Sequence, residues 1–380
     1  MIVALDGQVL MSGRRSGIGM VAYEMTRELA RDERLHCKMR VFARGRSREQ
    51  LANVQSAGVN DIEICSWLRR GVYLRLWHYL PIPYRRIFRE KADVSIFWNY
   101  DTPPGVQGAS LTYVHDMTFQ AYPETMDESV RRIMRRNMAD TCARADRILT
   151  ISEFSKREIV RYMKVPEEKI RVIPCGVDLS QFRVIENAQE IERTKKRYGI
   201  TSDYFLYVGT LEPRKNLPFL VRAYAQAKRG AKGAFPQLVL GGMKGWHYEG
   251  IFDEVKRQGV ESSVIFTDYL PREDVPLLMN GAAAFVFPSL YEGFGIPPLE
   301  AMACGTPVIV SDRASLPEVV GDAGMVVPIE TERPLTEALR AMLGPETREA
   351  YRTKGLAHVR QYTWKRAAEL LADVCLEFAK

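Results

Sequence analysis

The fold can be read from residues 282–312, which are AAAFVFPSLYEGFGIPPLEAMACGTPVIVSD. This stretch opens with an apolar run, passes through a glycine-containing turn into a segment of helical character, and ends in a second apolar run, PVIVSD. Apolar strands that are separated by helices are typical of parallel sheets covered on both faces, because a parallel connection needs a crossover. The stretch therefore predicts a strand–helix–strand unit.

The same alternation occupies the rest of the chain in two series. Strand candidates of the first series are MIVALD, HCKMRVFA, DIEIC, ADVSIFW, ASLTYVHD, ADRILTIS and IRVIPCGV. Those of the second series are YFLYVG, PQLVLGG, SSVIFTD, AAAFVFPS, PVIVSD and AGMVVP. The two series predict an α/β protein with two doubly wound, Rossmann-like parallel-sheet domains that face a cleft.

A chain of 380 residues is long enough for two such domains, each with its own core. A charged stretch at 186–198 separates the two series of strands. We therefore place an N-terminal domain at residues 1–185 and a C-terminal domain at residues 186–362. We expect the amphipathic helix at 363–380 to return to the N-terminal domain.

The composition indicates a globular protein of a reducing compartment. Hydrophobic residues make up 46% of the chain and charged residues 27%, and no apolar run reaches the roughly 18 residues that a membrane-spanning helix needs. The N-terminus begins with a strand-like run rather than a secretory signal, so we expect a cytoplasmic protein. Six cysteines without a C-x-x-C pair favour free thiols and argue against a zinc site.

The net charge of +7 lies almost entirely in residues 1–190, which contribute +6. The excess is concentrated in residues 68–91, LRRGVYLRLWHYLPIPYRRIFREK, and in residues 131–136, RRIMRR. Basic residues interleaved with aromatic ones suit an anionic membrane surface or an acidic acceptor. A solvated helix face whose aromatic side chains turn to the core is the alternative, and both interpretations stay open. The modest overall charge argues against a nucleic-acid partner.

The glycine turn of the opening stretch predicts an anion site. Gly293 and Gly295 allow close approach of the backbone to a ligand, and Pro297 suits the first turn of a helix, where a missing N–H costs least. Free N–H groups at a helix start commonly bind phosphate. The amides expected to do so here are those of Phe294, Gly295 and Ile296.

Two glutamates bracket this turn. Glu300 would lie in the first helical turn, where its charge also favours the positive end of the helix. Glu292 precedes the phosphate cradle, where a carboxylate is unfavourable unless it accepts hydrogen bonds from neutral hydroxyl groups. Sugars and riboses carry such groups.

A second site candidate is YVGTLEPRKNLPFLVRAY, residues 207–224. Arg214 and Lys215 stand between a strand and a helix, and adjacent cations there can neutralise a diphosphate. The sequence contains no D-x-D to hold a divalent ion, so we expect no metal and assign the charge of a departing diphosphate to side chains.

Two further candidates follow strands of the first domain. Gly17 and Gly19 precede a helix, but the pattern G-x-G-x-x-G fails at Ala22 and the second strand ends without an acidic residue, which argues against a dinucleotide cofactor. His115 and Asp116 stand at the end of an apolar strand, where ligands of α/β sheets collect. We therefore expect a functional role for this pair.

Together these segments resemble family 4 of the retaining nucleotide-sugar glycosyltransferases, which have the GT-B fold. The resemblance runs from about residue 13 to Trp364 and is carried by Glu292-x7-Glu300, GTLEPRKNL, VHD, GIG, ISEFSK and CGVD. The segment GTLEPRKNL is similar to bacterial mannosyltransferases of surface-polysaccharide synthesis. Thr210 departs from several relatives, which carry an arginine there, and Cys175 replaces a common asparagine.

The resemblance implies that residues 1–185 form the acceptor-side domain and that residues 186–362 bind the nucleotide sugar. It also implies roles for the residues above. Glu292 would accept hydroxyl groups of the donor sugar and Glu300 those of the nucleotide ribose. Arg214 and Lys215 would bind the diphosphate beside the helix amides. His115 would lie near the transferred sugar, Asp116 would organise the acceptor side, and Gly17 and Gly19 would line the cleft.

The implied reaction is transfer of a hexose from a nucleotide diphosphate sugar to a hydroxyl of a saccharide or polyprenyl-linked saccharide, with retained configuration and no metal. GDP-mannose is the favoured donor, and a UDP-hexose is the alternative. The same architecture also serves nucleotide-sugar epimerases and phosphorylases, and a non-catalytic sugar-nucleotide binding protein is a further alternative. Peripheral contact with the inner face of the plasma membrane would fit residues 68–91.

Overall fold

All thirteen predicted strands form in the computed structural model, which describes residues 1–12, 17–45, 48–77, 79–80 and 82–379. The chain divides into two compact units. Unit 1 contains Met1–Ala121, Glu128–Gly176 and Trp364–Lys380, and unit 2 contains Tyr122–Asp127 and Val177–Thr363. The division after Gly176 lies nine residues before the predicted boundary at 185, because the turn that follows β7 (Ile170–Val172) already belongs to unit 2.

Unit 1 is built on a parallel sheet of seven strands within the described residues, in the order β3-β2-β1-β4-β5-β6-β7. Its first six strands are β1 (Ile2–Asp6), β2 (His36–Phe42), β3 (Ile62–Cys65), β4 (Val94–Phe97), β5 (Ala109–Tyr113) and β6 (Arg147–Thr150). Its helices before the division are α1 (Gly17–Leu29), α2 (Arg48–Gln55), α3 (Arg70–Leu76), α4 (Tyr84–Ile87), α5 (Thr118–Ala121), α6 (Glu128–Arg144) and α7 (Glu153–Met163). The central strands are apolar and buried because helices cover both faces of the sheet.

Unit 2 has a parallel sheet of six strands, counted over the described part of the chain, in the order β10-β9-β8-β11-β12-β13. The strands are β8 (Tyr204–Val208), β9 (Gln237–Gly241), β10 (Val264–Phe266), β11 (Ala284–Phe287), β12 (Val308–Ser311) and β13 (Met325–Val327). The helices are α8 (Ala188–Arg197), α9 (Leu217–Arg229), α10 (Glu249–Gln258), α11 (Asp274–Gly281), α12 (Ile296–Ala303), α13 (Leu316–Val320), α14 (Glu332–Ala341) and α15 (Pro345–His358). The order reverses between β8 and β11, which is where doubly wound sheets bind ligands.

The last helix, α16 (Trp364–Leu376), belongs to unit 1 and packs against α1. Leu371 is fully buried in this contact, and Arg34 of unit 1 pairs with Asp373 at 2.8 Å. Glu377 just beyond the helix accepts hydrogen bonds from Arg147 and Arg171. The helix therefore completes the core of a unit whose last strand, β7, already ends at Val172.

The aromatic residues of the basic stretch 68–91 are mainly core residues. Tyr73, Trp77, Tyr84 and Phe88 are buried in one cluster, in which the rings of Tyr84 and Phe88 are 4.8 Å apart. These four aromatic side chains therefore turn to the core, as in the second of the two interpretations of this stretch. His78 and Pro81, also in this stretch, lie outside the described residues. Over the described residues, no helix combines the length and hydrophobicity needed to cross a bilayer.

Candidate functional site

Arg214 and Lys215 lie in the loop after β8, which is held by the loop after β9. Gly209 N donates to Gly241 O at 2.9 Å, so the strand pairing continues beyond β8. Gly242 has a φ of 137°, and a Cβ there would lie 2.0 Å from Gly209 O. Only glycine allows this approach of the two backbones, which fixes where the loop leaves the sheet.

The loop then forms a 3-10 turn, Pro213–Lys215, and passes into α9 through Asn216, which has a left-handed φ of 57°. Asparagine tolerates this conformation better than most residues. The turn places both cations directly before α9, as the sequence predicts.

The loop after β11 carries Glu292 and lies beside the first loop because β8 and β11 are paired neighbours in the sheet. Leu290 N donates to Arg214 O at 2.9 Å, which joins the two loops. The Ser315 hydroxyl lies 2.9 Å from Glu292 O and 2.7 Å from Phe294 O and donates to these carbonyls. The backbone on both sides of the glycine turn is thus tied to the start of α13.

The two loops bring Arg214, Lys215 and Glu292 into one ion-pair cluster. Lys215 Nζ lies 2.6 Å from Glu292 Oε1, and Arg214 Nη1 lies 2.7 Å from Glu292 Oε2. Glu212, which sequence reasoning did not single out, lies 2.7 Å from Arg214 Nη2. With two cations and two carboxylates, the cluster has no net formal charge.

Burial and pairing act in opposite directions on these ionisable groups. Burial alone would raise the pKa of Glu292, but the charges of Arg214 and Lys215 outweigh it and lower the pKa to about 2. Burial and the neighbouring Arg214 charge lower the pKa of Lys215. Glu292 is therefore a weakly basic carboxylate that stays ionised at neutral pH, suited to accepting hydrogen bonds and poorly suited to taking a proton.

The start of α12 has the geometry of an anion site. Gly295 precedes the helix with a φ of 122°, and Pro297 and Pro298 occupy its first turn. Within the described part of the chain, no protein acceptor is found for the amides of Phe294, Gly295 and Ile296. These N–H groups can therefore bind a ligand at the positive end of the helix dipole.

Glu300 lies just beyond the first turn of α12, in which it was predicted. The helix begins at Ile296, so Glu300 is its fifth residue and the first turn holds no acidic side chain. Burial raises the pKa of the Glu300 carboxyl to about 7, against the opposing effect of Arg272. A carboxyl perturbed this strongly near a helix start is a functional-site candidate on its own chemistry.

In unit 1, His115 and Asp116 follow β5 as predicted. His115 Nε2 lies 2.9 Å from Trp98 O, and its ring stacks on Tyr113 with centroids 5.3 Å apart. Because a carbonyl can only accept, Nε2 carries the proton and Nδ1 keeps a free lone pair in the neutral ring. Burial lowers the pKa of His115, which favours this neutral form. Asp116 Oδ1 accepts from Thr118 N at 2.9 Å and so also holds the start of α5.

The prediction that Gly17 and Gly19 precede the first helix is wrong in detail. Both lie inside α1, as its first and third residues, because the helix begins two residues earlier than the apolar pattern indicates. Gly19 is buried and Gly17 is exposed, with open space where a Cβ would lie. Residues 13–16, which lead into this helix, lie outside the described residues.

Two features of the site had weak signals in the sequence. Glu212 stands two residues before Arg214, so its charge was visible but not its burial. The segment Tyr122–Asp127 belongs to unit 2, where the ring of Tyr122 lies 5.5 Å from that of Tyr291 and Trp246 Nε1 donates to Thr125 O at 2.6 Å. Nothing in the local pattern distinguishes this segment from the helices around it.

Comparison with known proteins identifies the family. The model for glycosyl transferases group 1 matches residues 189–357, and the model for glycosyltransferase family 4 matches residues 15–181. The O-antigen chain mannosyltransferase B of Escherichia coli is 32% identical over 359 residues, which cover 92% of this chain and 93% of the relative.

Solved structures match the fold over nearly the whole chain. HepE of Anabaena, in a complex with UDP and glucose, has a TM-score of 0.74 at 17% identity, with 99% of each chain covered. WaaG, a glycosyltransferase involved in lipopolysaccharide biosynthesis, has a TM-score of 0.70 at 18% identity, also with 99% of each chain covered. The predicted fold class is confirmed by these matches and by the two parallel sheets. The chain therefore belongs to the family 4 glycosyltransferases and has their GT-B fold.

Proposed function

We propose that this glycosyltransferase moves mannose from GDP-mannose to a hydroxyl of a saccharide or lipid-linked saccharide, with retention of anomeric configuration. The observation that carries the proposal is the buried cluster of Arg214, Lys215 and Glu292 beside the open start of α12. The choice of mannose is supported by the 32% identity to a protein named as a mannosyltransferase. A UDP-hexose is the alternative donor.

Binding of the donor would change which groups Glu292, Lys215 and Arg214 contact. Glu292 pairs with both Arg214 and Lys215. When Glu292 turns to accept hydrogen bonds from sugar hydroxyl groups, Lys215 and one edge of Arg214 become available for the diphosphate. The phosphate oxygens would also accept from the amides of Phe294, Gly295 and Ile296. Such fixed donors stabilise the charge that grows on the leaving diphosphate.

In the proposed reaction no protein carboxylate acts as the base. A carboxylate with a pKa of about 2 is a poor proton acceptor, so Glu292 would orient the sugar while the departing diphosphate takes the acceptor proton on the same face. His115 would approach the transferred sugar through Nδ1, and Asp116 would order the acceptor side. Glu300 would accept from the ribose hydroxyl groups. Gly17 and Gly19 at the start of α1 would leave room for the ligand.

We propose that the reaction needs no divalent metal, because Arg214 and Lys215 supply the charge that a metal would otherwise bring. Transfer should then continue at full rate in excess EDTA. Loss of activity in EDTA that Mg²⁺ restores would contradict this part of the proposal.

The donor is tested by thermal shift with GDP, UDP and ADP, followed by their sugars at equal concentration. A ligand present at about 100 times its Kd stabilises by about 2.7 kcal/mol, which is easily measured. We expect the largest shift with GDP and GDP-mannose. Incubation of the preferred donor with mannose-terminated acceptors then distinguishes transfer from epimerisation, since transfer yields a glycosylated acceptor and free nucleoside diphosphate. The anomeric proton signals of that product test retention.

Site variants test the cluster. Lys215→Ala and Glu292→Ala should each lower transfer by about 10²-fold or more, as loss of one preorganised polar contact does. Lys354→Ala, at a half-exposed lysine of α15, is the control and should leave transfer unchanged. Full activity in either site variant would remove that residue from the mechanism.

We also propose that an anionic membrane binds a face formed by Tyr79 and Leu80, which follow α3, and by α6. Arg136 Cζ lies 5.7 Å from the ring centroid of Tyr79, whose side chain is 80% exposed, and Leu80 and Ile133 are exposed beside basic residues. Tyr79 and Leu80 belong to the predicted stretch 68–91, but Tyr73 and Tyr84 of that stretch are buried, so α6 supplies the basic part of this face. Basic residues near an anionic surface each contribute about 1 kcal/mol, so charge and exposed apolar side chains act together.

Vesicle binding tests this face. Vesicles containing anionic lipid should retain the protein at low salt and release it at high salt, while neutral vesicles should not retain it. The triple variant Arg132→Ala, Arg135→Ala, Arg136→Ala should lose retention and keep donor binding. Equal retention of this variant would place the contact elsewhere, and no retention of the wild type would exclude it.

A further inference from the structure

Glu212 is a buried carboxylate of unit 2 to which the reaction scheme above gives no role. It is only 4% exposed and lies in extended backbone directly before the turn Pro213–Lys215. Its carbonyl accepts from Lys215 N at 3.1 Å, so its main chain also belongs to the turn that carries the two cations. A buried carboxylate is unfavourable unless it is paired, and its pairing therefore indicates what it does.

The partner of Glu212 is Arg214. Glu212 Oε1 lies 2.7 Å from Arg214 Nη2, while Nη1 of the same guanidinium lies 2.7 Å from Glu292 Oε2 and 2.6 Å from Tyr291 O. A guanidinium is planar and rigid, so contacts on both of its terminal nitrogens define its orientation. Glu212 holds one edge and the Tyr291–Glu292 segment holds the other.

Donor binding would affect the ion pairs of the two carboxylates, Glu212 and Glu292, differently. Glu292 binds both Lys215 and Arg214, and both pairs would loosen when its oxygens turn to a sugar. Glu212 contacts the opposite edge of Arg214 and is placed by the backbone of the turn itself. The contact between Glu212 and Arg214 can therefore persist while Glu292 exchanges partners.

We infer that Glu212 is a positioning residue that keeps the guanidinium of Arg214 aimed at the diphosphate during donor binding and transfer. The inference rests on the proposed function, because that function assigns Arg214 to binding of the diphosphate. Glu212 acts through the geometry of one hydrogen bond, and its charge is secondary because Arg214 keeps Glu292 as a counter-ion until the donor arrives.

Three substitutions separate geometry from charge. Glu212→Gln keeps the length and an oxygen that accepts from Nη2, and should retain transfer within about threefold. Glu212→Asp keeps the charge but withdraws the oxygen by one methylene, and Glu212→Ala removes it. Both should lower kcat by about tenfold to a hundredfold, the loss that misplacement of a catalytic group causes. If Glu212→Asp stays active and Glu212→Gln does not, charge matters and the inference is wrong.

A double-mutant cycle tests whether Glu212 acts through Arg214. In an Arg214→Ala background, Glu212→Ala should lower kcat by no more than about a further twofold, because its partner is already gone. Asp274→Ala is the matched control, since Asp274 is another buried carboxylate of unit 2 that pairs with Arg197 at 2.7 Å outside this site. It should lower Tm but leave kcat unchanged at a temperature where the variant is folded.

Binding of GDP, measured as a shift in Tm, distinguishes failure of this inference from failure of the proposed function. Normal GDP binding and transfer by the wild type, together with an equal loss from Glu212→Ala in both backgrounds, would overturn this inference and leave the proposed function standing. If no nucleoside diphosphate stabilises the wild type and no sugar is transferred, the proposed function fails and this inference fails with it.

Discussion

Two glutamates eight positions apart show how single residues acquire different chemistry from their surroundings. Glu292 is buried and Glu300 is partly buried, and loss of contact with water raises the pKa of a carboxyl. Glu292 has Arg214 and Lys215 within hydrogen-bond distance, and their charges lower its pKa to about 2. Glu300 has the weaker influence of Arg272 and keeps a pKa of about 7. Near neutral pH, one carboxylate is therefore always ionised and the other is half protonated.

Glu300 should make donor affinity depend on pH. If the ionised form binds the ribose, affinity for GDP-mannose should increase about tenfold from pH 6 to pH 8, since the ionised fraction rises by that factor around a pKa of 7. A nucleotide sugar is the appropriate ligand because its diphosphate does not titrate in this range. Calorimetric titration of the wild type and of Glu300→Gln measures the effect.

The Glu300→Gln variant should bind with little dependence on pH. An equal slope in wild type and variant would assign the titration to another group. The pH dependence of stability checks the sign of the same shift. Between about pH 4.5 and 7, Glu300 holds a proton in the folded state that it has lost in the unfolded state. The contribution of Glu300 to the free energy of unfolding therefore falls as pH rises through that range.

Among the elements, α12 depends on an unusual start. Gly295 has a φ of 122° and a Cβ there would lie 2.8 Å from Leu316 Cδ2. A side chain is disfavoured both by the backbone conformation and by the packing of α13. The helix can begin with its amides open because glycine turns the chain and the two prolines that follow need no acceptor for an N–H.

Gly295→Ala should therefore lower the free energy of unfolding by about 1–3 kcal/mol and weaken the thermal shift caused by GDP. Gly250→Ala is the matched control, because Gly250 lies in α10 with open space around it and a φ that alanine can adopt. That variant should be neutral or up to about 1 kcal/mol more stable. Urea unfolding measures both, and equal effects of the two substitutions would contradict this account of α12.

On the scale of the whole molecule, unit 1 is formed from separate segments of the chain. Unit 1 is closed by its last helix, α16, after unit 2 has been completed. Leu371 is fully buried between α16 and the rest of unit 1, whereas its neighbour Leu370 is 38% exposed. Two adjacent leucines of one helix thus differ in whether they belong to the core.

Leu371→Ala should destabilise the protein by about 2–5 kcal/mol, because it leaves a cavity under α16. Leu370→Ala should change stability by less than about 0.5 kcal/mol. Hydrogen exchange resolved by peptide should show the loss of protection in α1 and β1, while GDP still stabilises unit 2. Loss of protection confined to unit 2 would contradict the assignment of α16 to unit 1.

What the sequence alone could predict follows from local physics. The thirteen strands, the glycine turn before α12 and the cations before α9 are visible because burial imposes apolar runs and because glycine and proline restrict the backbone directly. The start of α1 and the position of Glu300 relative to the first turn of α12 were missed by one or two residues, since helix ends depend on contacts that periodicity does not report.

Only the tertiary structure decided which charges meet. Lys215 and Glu292 are 77 residues apart, and they pair because β8 and β11 are neighbours in the sheet, so the loops that follow them lie side by side. The burial of Glu212 likewise depends on a distant segment, the loop after β9. Tyr73 and Trp77 lie in the core although the helical pattern alone would also allow them to face solvent. Periodicity identifies which residues form elements, whereas pKa values, ion pairs and core membership depend on neighbours that only strand order supplies.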